Sequence, residues 1–328
     1  YSNETAKVSI GATNSNTIGH TRFETLNNAV YSTFSVISER DFIVKLSGID
    51  GYPNGYTFQT ISGTVIQKDG YKALAEMMNG VSDKTGIKVK VNNTQIFSDS
   101  ISAGTVQNLM INGVTIGNIT VKANDSDNTL IGAINAKKDE TGVEASLENG
   151  KLVLAAKDGR AIRIGALSGA SFMGGDTAGA STGSAGGGAL FLGTMTFIRQ
   201  DARDIKVGIN GISQISGFTN GGGSITAVSV ASTAYNQASV NLKYMNSGTV
   251  SATLAKAMGY FNGGASNAGQ EVDQAGGVNT YGGAQAMIDV AEAARKTLDK
   301  LRADLGSVQN QLVATINNIT VTQVNVKS

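Results

Sequence analysis

The sequence has no cysteine and no tryptophan, and it has only one histidine among 328 residues. Without cysteine it cannot form a disulfide framework, a thiolate metal site or a cysteine nucleophile. The single histidine, His20, excludes metal sites with two histidine ligands and most hydrolytic triads. Arg22 and Glu24 lie close enough to His20 to suggest an acid–base site, but an ordinary hydrogen-bonded strand residue explains the pattern better. We therefore expect no enzyme activity, no cofactor and no metal site.

Proline is also nearly absent, since Pro53 is the only one, whereas glycine occurs 42 times. This combination indicates turns built from Gly, Asn and Asp between short strands. The 26 basic and 25 acidic residues are spread along the chain and give a net charge of +1. There is no basic stripe of the kind that binds nucleic acid and no apolar run that could cross a membrane. We expect neither nucleic acid nor a membrane as a partner.

The last part of the chain, from about 282 to 326, has the spacing of one long helix. Small or apolar residues recur there at alternating steps of four and three, which is a heptad pattern. One row contains Ala291, Leu298, Leu305, Leu312 and Ile319, and the other contains Met287, Ala294, Leu301, Val308 and Thr315. The residues that we expect to form an assembly seam are Leu298, Leu301, Leu305, Val308, Leu312, Ile316 and Ile319.

Such a helix would be about 60 Å long and would need other helices to cover its seam. No second helix of that length is predicted, so its partners are expected outside this sequence. The run 319–326 is rich in β-branched residues and would by itself favour a strand. The heptad spacing continues to Ile319, and we therefore predict that the helix continues.

The rest of the chain is predicted to be mostly β. The predicted strands are 42–46, 56–61, 87–91, 109–116, 142–147, 151–155, 195–198, 205–209 and 238–244. Helices are predicted at 72–81, from about Asn128, and near 250–258, whereas the Gly-rich stretches 165–193 and 262–283 read as connectors.

An internal repeat relates two of these segments. Residues 73–90 align with residues 129–146 at a constant offset, with Leu74 matching Leu130 and Asn79 matching Asn135. Gly86 and its counterpart Gly142 are expected to be left-handed residues after a helical turn. Two copies of a helix–turn–strand unit predict two similarly folded substructures.

The segment 124–128, Asn-Asp-Ser-Asp-Asn, has half of the pattern of a calcium loop. The closing glutamate is missing, because Ala occupies position 136. The alternative is that Ser126 or Asp127 caps the following helix, and we expect the cap.

Three segments resemble bacterial flagellins, most closely those of the Campylobacter and Helicobacter group. LDKLRADLGSVQNQLVATINNITVTQVNVKS, residues 298–328, is similar to the C-terminal helix of the flagellin core domain. IGATNSNTIGHTRFET, residues 10–25, is similar to a stretch that closes the β part of that domain. The signatures INGVTIG, AIN and TGVEA resemble an insertion motif of flagellins and flagellar capping proteins.

This resemblance implies an α+β, multi-domain fragment that lacks the family's N-terminal helices and C-terminal end. Its core domain would comprise 1–27 and 280–328, with a long coiled-coil-type helix. Two mostly β outer domains would comprise 28–100 with 194–279, and 101–193, and would contain the repeated β-α-β insertion motifs.

The function that the resemblance implies is that of a structural subunit of the extracellular flagellar filament, which serves motility. Its partners would be copies of itself, the N-terminal helices of the same chain, an export chaperone and the filament cap protein. Export would follow the flagellar type III route without a cleaved signal peptide. A flagellar cap or hook-associated protein, or a surface adhesin, is the alternative.

The same resemblance suggests O-linked sugars on exposed hydroxyl groups of the outer domains. The candidates are Ser181, Thr182, Ser184, Ser213, Thr219 and Ser224.

Overall fold

The computed structural model describes residues 14–16, 18–24, 28–31, 41–165, 189–210, 238–247, 249–250, 254, 258, 274–275, 278 and 281–327. The chain is a mixture of helices and strands and ends in one long helix. The strands are β1 (Gly19–Glu24), β2 (Asn28–Tyr31), β3 (Asp41–Ser47), β4 (Tyr56–Thr57), β5 (Ile61–Ser62), β6 (Ile87–Ser100), β7 (Gly104–Ile111), β8 (Val114–Val121), β9 (Glu144–Glu148), β10 (Lys151–Ala156), β11 (Ile162–Gly165), β12 (Ala189–Arg199), β13 (Lys206–Asn210), β14 (Ala238–Asn241), β15 (Thr249–Val250) and β16 (Gln274–Ala275). The helices are α1 (Gly63–Asp69), α2 (Tyr71–Asn79), α3 (Ser82–Thr85), α4 (Thr129–Asn135), α5 (Lys138–Thr141), α6 (Leu242–Ser247) and α7 (Tyr281–Lys327).

The chain divides into two compact units. Unit 1 contains Tyr1–Thr21, Arg199–Asp204 and Ala238–Ser328, and unit 2 contains Arg22–Ile198 and Ile205–Gln237. The chain therefore leaves unit 1 and returns to it twice, as expected of insertions whose ends lie in one host. The three-domain boundaries given above stay a prediction.

Unit 2 is built on a sheet with the strand order β8-β7-β11-β12-β6-β10-β9, and a smaller sheet pairs β3 with β13, β4 and β5. Burial alternates along β3: Phe42, Val44 and Leu46 are fully buried and the residues between them are not, so one side of the smaller sheet faces the core. The buried apolar side chains of unit 2 form two clusters. One surrounds Phe42, Tyr71 and Phe197, and the other surrounds Phe97, Leu130 and Phe191.

The internal repeat is confirmed at the level of single hydrogen bonds. Asn79 in α2 donates from Nδ2 to the Val89 carbonyl at 2.7 Å and accepts the Val89 N–H at 2.8 Å. Asn135 in α4 makes the same pair of bonds to Ala145, at 2.9 and 2.8 Å. We call this paired contact the asparagine bridge. It joins the end of a helix to the strand ten residues later in both copies, and it satisfies both backbone groups of that strand residue.

The turn inside each copy also repeats. Gly86 and Gly142 both have φ of 70°, the left-handed conformation expected from the sequence. The preceding threonines, Thr85 and Thr141, are buried, and each accepts the N–H two residues later.

Several sequence expectations are wrong. The strand predicted at 109–116 is a hairpin, because Asn112 and Gly113 have φ of 50° and 84° and form a turn between β7 and β8. Both angles are positive, as a type I′ turn requires, and Asn-Gly is the preferred pair for that turn. The Asn-Gly turn signal is present in the sequence, but β-forming residues flank it on both sides and the whole run was interpreted as one strand.

Other β predictions fail where a loop or a short helix interrupts the predicted strand. The predicted strand 56–61 is two short strands, β4 and β5. After β5 the chain forms α1, which was not predicted and in which the β-branched Ile66 is buried against the core. The predicted strand 238–244 ends at β14 and continues as α6. In each case tertiary packing overrides local β propensity.

The long helix is confirmed. α7 contains 47 residues, which corresponds to about 70 Å at 1.5 Å per residue. None of the helices in the described ranges is long and apolar enough to cross a membrane.

Candidate assembly surface

The first turns of α7 are buried in unit 1. Ala286 is 0% exposed and Val290 is 1% exposed, and both belong to a cluster with Val240, Met245 and Met258. Small side chains at these helix positions permit close approach to β14 and α6, which the chain places against α7. This end of the helix therefore has partners within its own unit.

In these first turns the side of α7 that is buried within unit 1 differs from the predicted seam, which is expected to be covered by partners outside this sequence and stays a prediction. The sequence placed Met287, Ala291 and Ala294 in the seam, but Ala291 is exposed and the other two are only half-buried. The buried positions are instead Ala286, Val290 and Ala293. Alanine occurs at 291, 293 and 294, so the sequence fits either phase and carries little periodic signal here.

From Leu298 onward the apolar side chains of α7 face outward. Leu298 is 55% exposed, Leu305 59% and Ile319 61%, and Leu312 and Ile316 are exposed as well. Leu301 and Val308 are half-buried. The structure thus places all seven predicted seam residues on one helix, with five of them largely open to solvent. Soluble monomers rarely leave such a contiguous row uncovered.

The final turns differ from the middle of the helix. Besides the seam, Val313, Val321, Val324 and Val326 are exposed, with Val326 at 81%. At 100° per residue Val313, Val321 and Val324 lie within about 80° of one another and about 80–160° around the axis from Leu305, whereas Val326 lies beside the seam. These valines therefore add a second exposed apolar side to the last turns of the helix, next to the seam.

Three threonine hydroxyls in this β-branched end are satisfied within the helix itself. The Oγ1 atoms of Thr315, Thr320 and Thr322 donate to the carbonyls of Gln311, Ile316 and Asn318, at 2.9, 2.8 and 2.8 Å. Each bond spans four residues back along the helix, which satisfies the hydroxyl inside α7. The side chains therefore do not need an external partner for their polar groups.

The predicted cap of α4 is incomplete, because Asp127 accepts only the Thr129 N–H and Asp125 accepts the next two N–H groups. The fully buried Asp125 accepts the Leu130 N–H at Oδ1, at 2.9 Å, and the Ile131 N–H at Oδ2, at 3.0 Å. Asp127 lies 3.4 Å from the Thr129 N–H and is exposed, and no cap bond is assigned to Ser126.

Backbone conformation explains how a residue so far from the helix can cap it. Asn124, Asp125 and Asn128 have φ of 56°, 46° and 56°, so the chain folds back and aims Asp125 at the first turn. Asn and Asp tolerate this region better than other residues. A prediction of the helix cap that considers only the residues directly before the helix therefore misses Asp125.

The other candidates of the sequence lie as follows. His20 is half-buried in β1, and Arg22 pairs with Glu24 two residues along the same strand. Among the described residues no group of three or more His, Asp or Glu side chains could bind a metal ion. Ser181, Thr182, Ser184, Ser213, Thr219 and Ser224 lie outside the described residues.

One charged cluster in unit 2 was missed. Asp158 accepts from Lys72 Nζ at 3.0 Å and from Arg160 Nε at 2.8 Å. Partial burial would raise the pKa of Asp158, but the hydrogen bonds from Arg160 and Lys72 outweigh it and lower the pKa to about 2. Lys72 lies in the first turn of α2 and Asp158 follows β10, so no local pattern connects them.

Two family models match the chain. The flagellin hook IN motif matches residues 108–158, which include β8, the Asp125 cap and the second asparagine bridge. The bacterial flagellin C-terminal helical region matches residues 288–328, which form most of α7.

Whole-chain relatives agree with these models. Flagellin B of Helicobacter pylori strain J99 is 38% identical over 335 residues, covering 100% of this chain and 62% of the relative. Flagellin A of Helicobacter mustelae is 37% identical over 341 residues, covering 100% of this chain and 65% of the relative. Flagellin A of Helicobacter pylori is 35% identical over 339 residues, covering 100% and 61%. The chain thus spans a little less than two thirds of these relatives.

Proposed function

We propose, on the premise that this chain belongs to the bacterial flagellin family, that it is part of a structural subunit that polymerises into the extracellular flagellar filament. The subunit acts by packing, and it performs no catalysis and needs no cofactor. Its main partners are further copies of itself and the N-terminal helices of the same protein. An export chaperone and the filament cap protein are further partners.

The observation that carries this proposal is the exposed apolar row of α7. Leu298, Leu305 and Leu312 repeat every seven residues along the helix and are 45–59% exposed. Burying one leucine side chain contributes about 1.5–3 kcal/mol, so covering the row supplies a substantial driving force. The row has the spacing that packs against other long helices, and not the shape of a pocket for a small ligand.

The position of this row along the helix supports an assembly role. The first turns of α7 are buried within unit 1 by Ala286 and Val290, whereas the row begins beyond them. One end of the helix is therefore fixed to its own unit and the other end is available to partners. The exposed valines of the last turns, such as Val321 and Val324, are consistent with partners on more than one side.

We assign the remaining parts by the same reasoning. Residues 1–27 and 280–328 form the core domain, and the two outer domains, 28–100 with 194–279 and 101–193, form the filament surface. The asparagine bridges give each outer insertion motif a helix fixed to a strand. The protein is exported by the flagellar type III route.

Electron microscopy tests the proposal. The chain is joined to the flanking segments of its own gene, purified and incubated in salt that promotes assembly. Long helical filaments are the expected result. Small closed rings would favour the cap or hook-associated function instead, and monomers at all concentrations would contradict both.

A further inference from the structure

Four Asn-Gly pairs lie wholly within the described residues, and their surroundings differ. Asn-Gly is the sequence most prone to spontaneous loss of the side-chain amide, because glycine has no Cβ to obstruct attack by its own backbone nitrogen. The pairs begin at Asn54, Asn79, Asn112 and Asn149. Two features of each pair can slow the reaction: hydrogen bonds to the asparagine side chain, and a hydrogen bond from the glycine N–H.

Asn79 is protected on both counts. Its side chain forms the asparagine bridge to Val89, and the Gly80 N–H donates to the Glu76 carbonyl at 3.0 Å. Asn54 is protected on one count, because the Gly55 N–H donates to the Tyr52 carbonyl at 2.9 Å.

Asn112 and Asn149 form a natural comparison. Both occupy the first position of a two-residue turn, with φ of 50° and 51°, and the glycine that follows has φ of 84° or 75°. The turns connect Ile111 to Val114 and Glu148 to Lys151 in antiparallel register. The dipeptide and the turn type are therefore the same.

The side chains of these two residues differ. Asn112 donates from Nδ2 to the carbonyls of Thr141 and Ala161, at 2.9 and 3.1 Å, and accepts the Arg163 N–H at 2.8 Å. Asn149 is exposed, and neither its side chain nor the Gly150 N–H has a hydrogen-bond partner among the described residues.

We propose that Asn149 is a site of spontaneous deamidation, whereas Asn112, in the same kind of turn, is protected. The Gly150 nitrogen loses its proton and attacks Cγ of Asn149, and a C–N bond forms while the side-chain nitrogen leaves as ammonia. Water then opens the cyclic imide at either carbonyl, which leaves aspartate or isoaspartate. The turn must open for the attack, and exposed turns open at low cost.

The product changes the end of the β9–β10 hairpin. Each event adds one negative charge beside Glu148, and isoaspartate also inserts a methylene into the backbone of a two-residue turn. Because the loss of ammonia is not reversed, the modified fraction should increase with the age of the molecule. The chemistry is intramolecular, so the inference does not depend on the proposed function.

Peptide mapping by mass spectrometry tests the assignment. The purified protein is incubated at mildly alkaline pH and the acid form is quantified at each of the four sites over time. Conversion at Asn149 should be at least about tenfold faster than at Asn112, since three hydrogen bonds must open before Asn112 can react. It should also exceed conversion at Asn54 and Asn79.

A denatured sample is the control. In concentrated denaturant the four sites should react at similar rates, because only the sequence remains to distinguish them. Asn149→Gln should remove the acid form from that peptide and leave the other three sites unchanged. Equal rates at Asn112 and Asn149 in the folded protein would overturn the proposal, as would a folded-state rate at Asn149 no higher than that at Asn54.

Discussion

Asn135 binds both the N–H and the carbonyl of Ala145, at 2.8 and 2.9 Å, across a left-handed turn. The contact fixes the end of α4 to the first residues of β9, so the helix and the strand behave as one element. Since Asn79 and Val89 reproduce it, the two copies of the repeat share a stabilising contact as well as a sequence likeness. Asparagine suits the position because its side chain has one acceptor and one donor group, like a peptide unit.

Replacing Asn135 by alanine should destabilise unit 2. The substitution leaves both backbone groups of the buried Ala145 unpaired, and an unsatisfied buried group costs about 1–3 kcal/mol. Urea denaturation monitored by circular dichroism measures the change. Asp139→Ala, at an exposed position of α5 close by, is the matched control and should change stability little. Equal losses for the two variants would show that the bridge is dispensable.

The cap of α4 can be tested with two neighbouring aspartates. Asp125→Ala removes the acceptor for both the Leu130 and Ile131 N–H groups and should cost about 2 kcal/mol of unfolding free energy. Asp127→Ala removes a 3.4 Å hydrogen bond from the Thr129 N–H and an exposed ion pair with Lys122 at 3.2 Å, so a smaller loss is expected. Thermal denaturation of both variants decides between them. A larger effect at Asp127 would restore the cap that local sequence favours.

The cluster of Lys72, Asp158 and Arg160 should make stability depend on acid pH. The pKa of Asp158 is lowered from 3.8 to about 2 in the folded protein, so the folded state binds this proton less readily than the unfolded state does. The stabilising contribution is therefore complete above the unfolded value, decreases as pH falls between these two values, and is absent below about 2.

The variant Asp158→Asn isolates this contribution. Denaturant midpoints measured across that range should fall more steeply for the wild-type protein than for the variant. The two curves should then run in parallel below the folded pKa. Parallel curves throughout the range would mean that the ion pairs with Lys72 and Arg160 contribute nothing measurable, as is common for exposed pairs.

The exposed row of α7 predicts a separation of stability from assembly. Leu305→Asp should leave the unfolding of the isolated chain nearly unchanged, because this side chain is 59% exposed, but it should block polymerisation of the full-length protein. An aspartate in the covered row would be a buried unpaired charge. Sedimentation of polymer under assembling salt measures the effect.

The control for that variant places the same charge on another side of the helix. Asn310 is exposed and lies about 140° around the axis from Leu305 at 100° per residue. Asn310→Asp should therefore polymerise much better than Leu305→Asp. Loss of assembly in both variants would indicate sensitivity to added negative charge instead of a specific row.

Sequence alone predicted the features that repeat along the chain. The heptad spacing predicted α7 from 282 to 326, within one residue of its observed ends at each side, because a helix that packs along one side repeats its apolar residues at a fixed interval. The alignment of 73–90 with 129–146 predicted two equivalent helix–turn–strand units, and Gly86 and Gly142 are left-handed as expected. Alternation in 42–46 likewise predicted β3.

Tertiary structure decided what depends on contacts between distant residues. Asp125 caps α4 because a backward loop aims it at the helix, and Asp158 meets Lys72 although they are 86 positions apart in the chain. The buried phase of the first turns of α7 was also settled by packing, since several alanines fit two phases equally well. The spacing of apolar residues and the preference of Gly and Asn for turns are local properties and can be recognised in the sequence. The partner of a side chain depends on which distant residues the fold brings next to it.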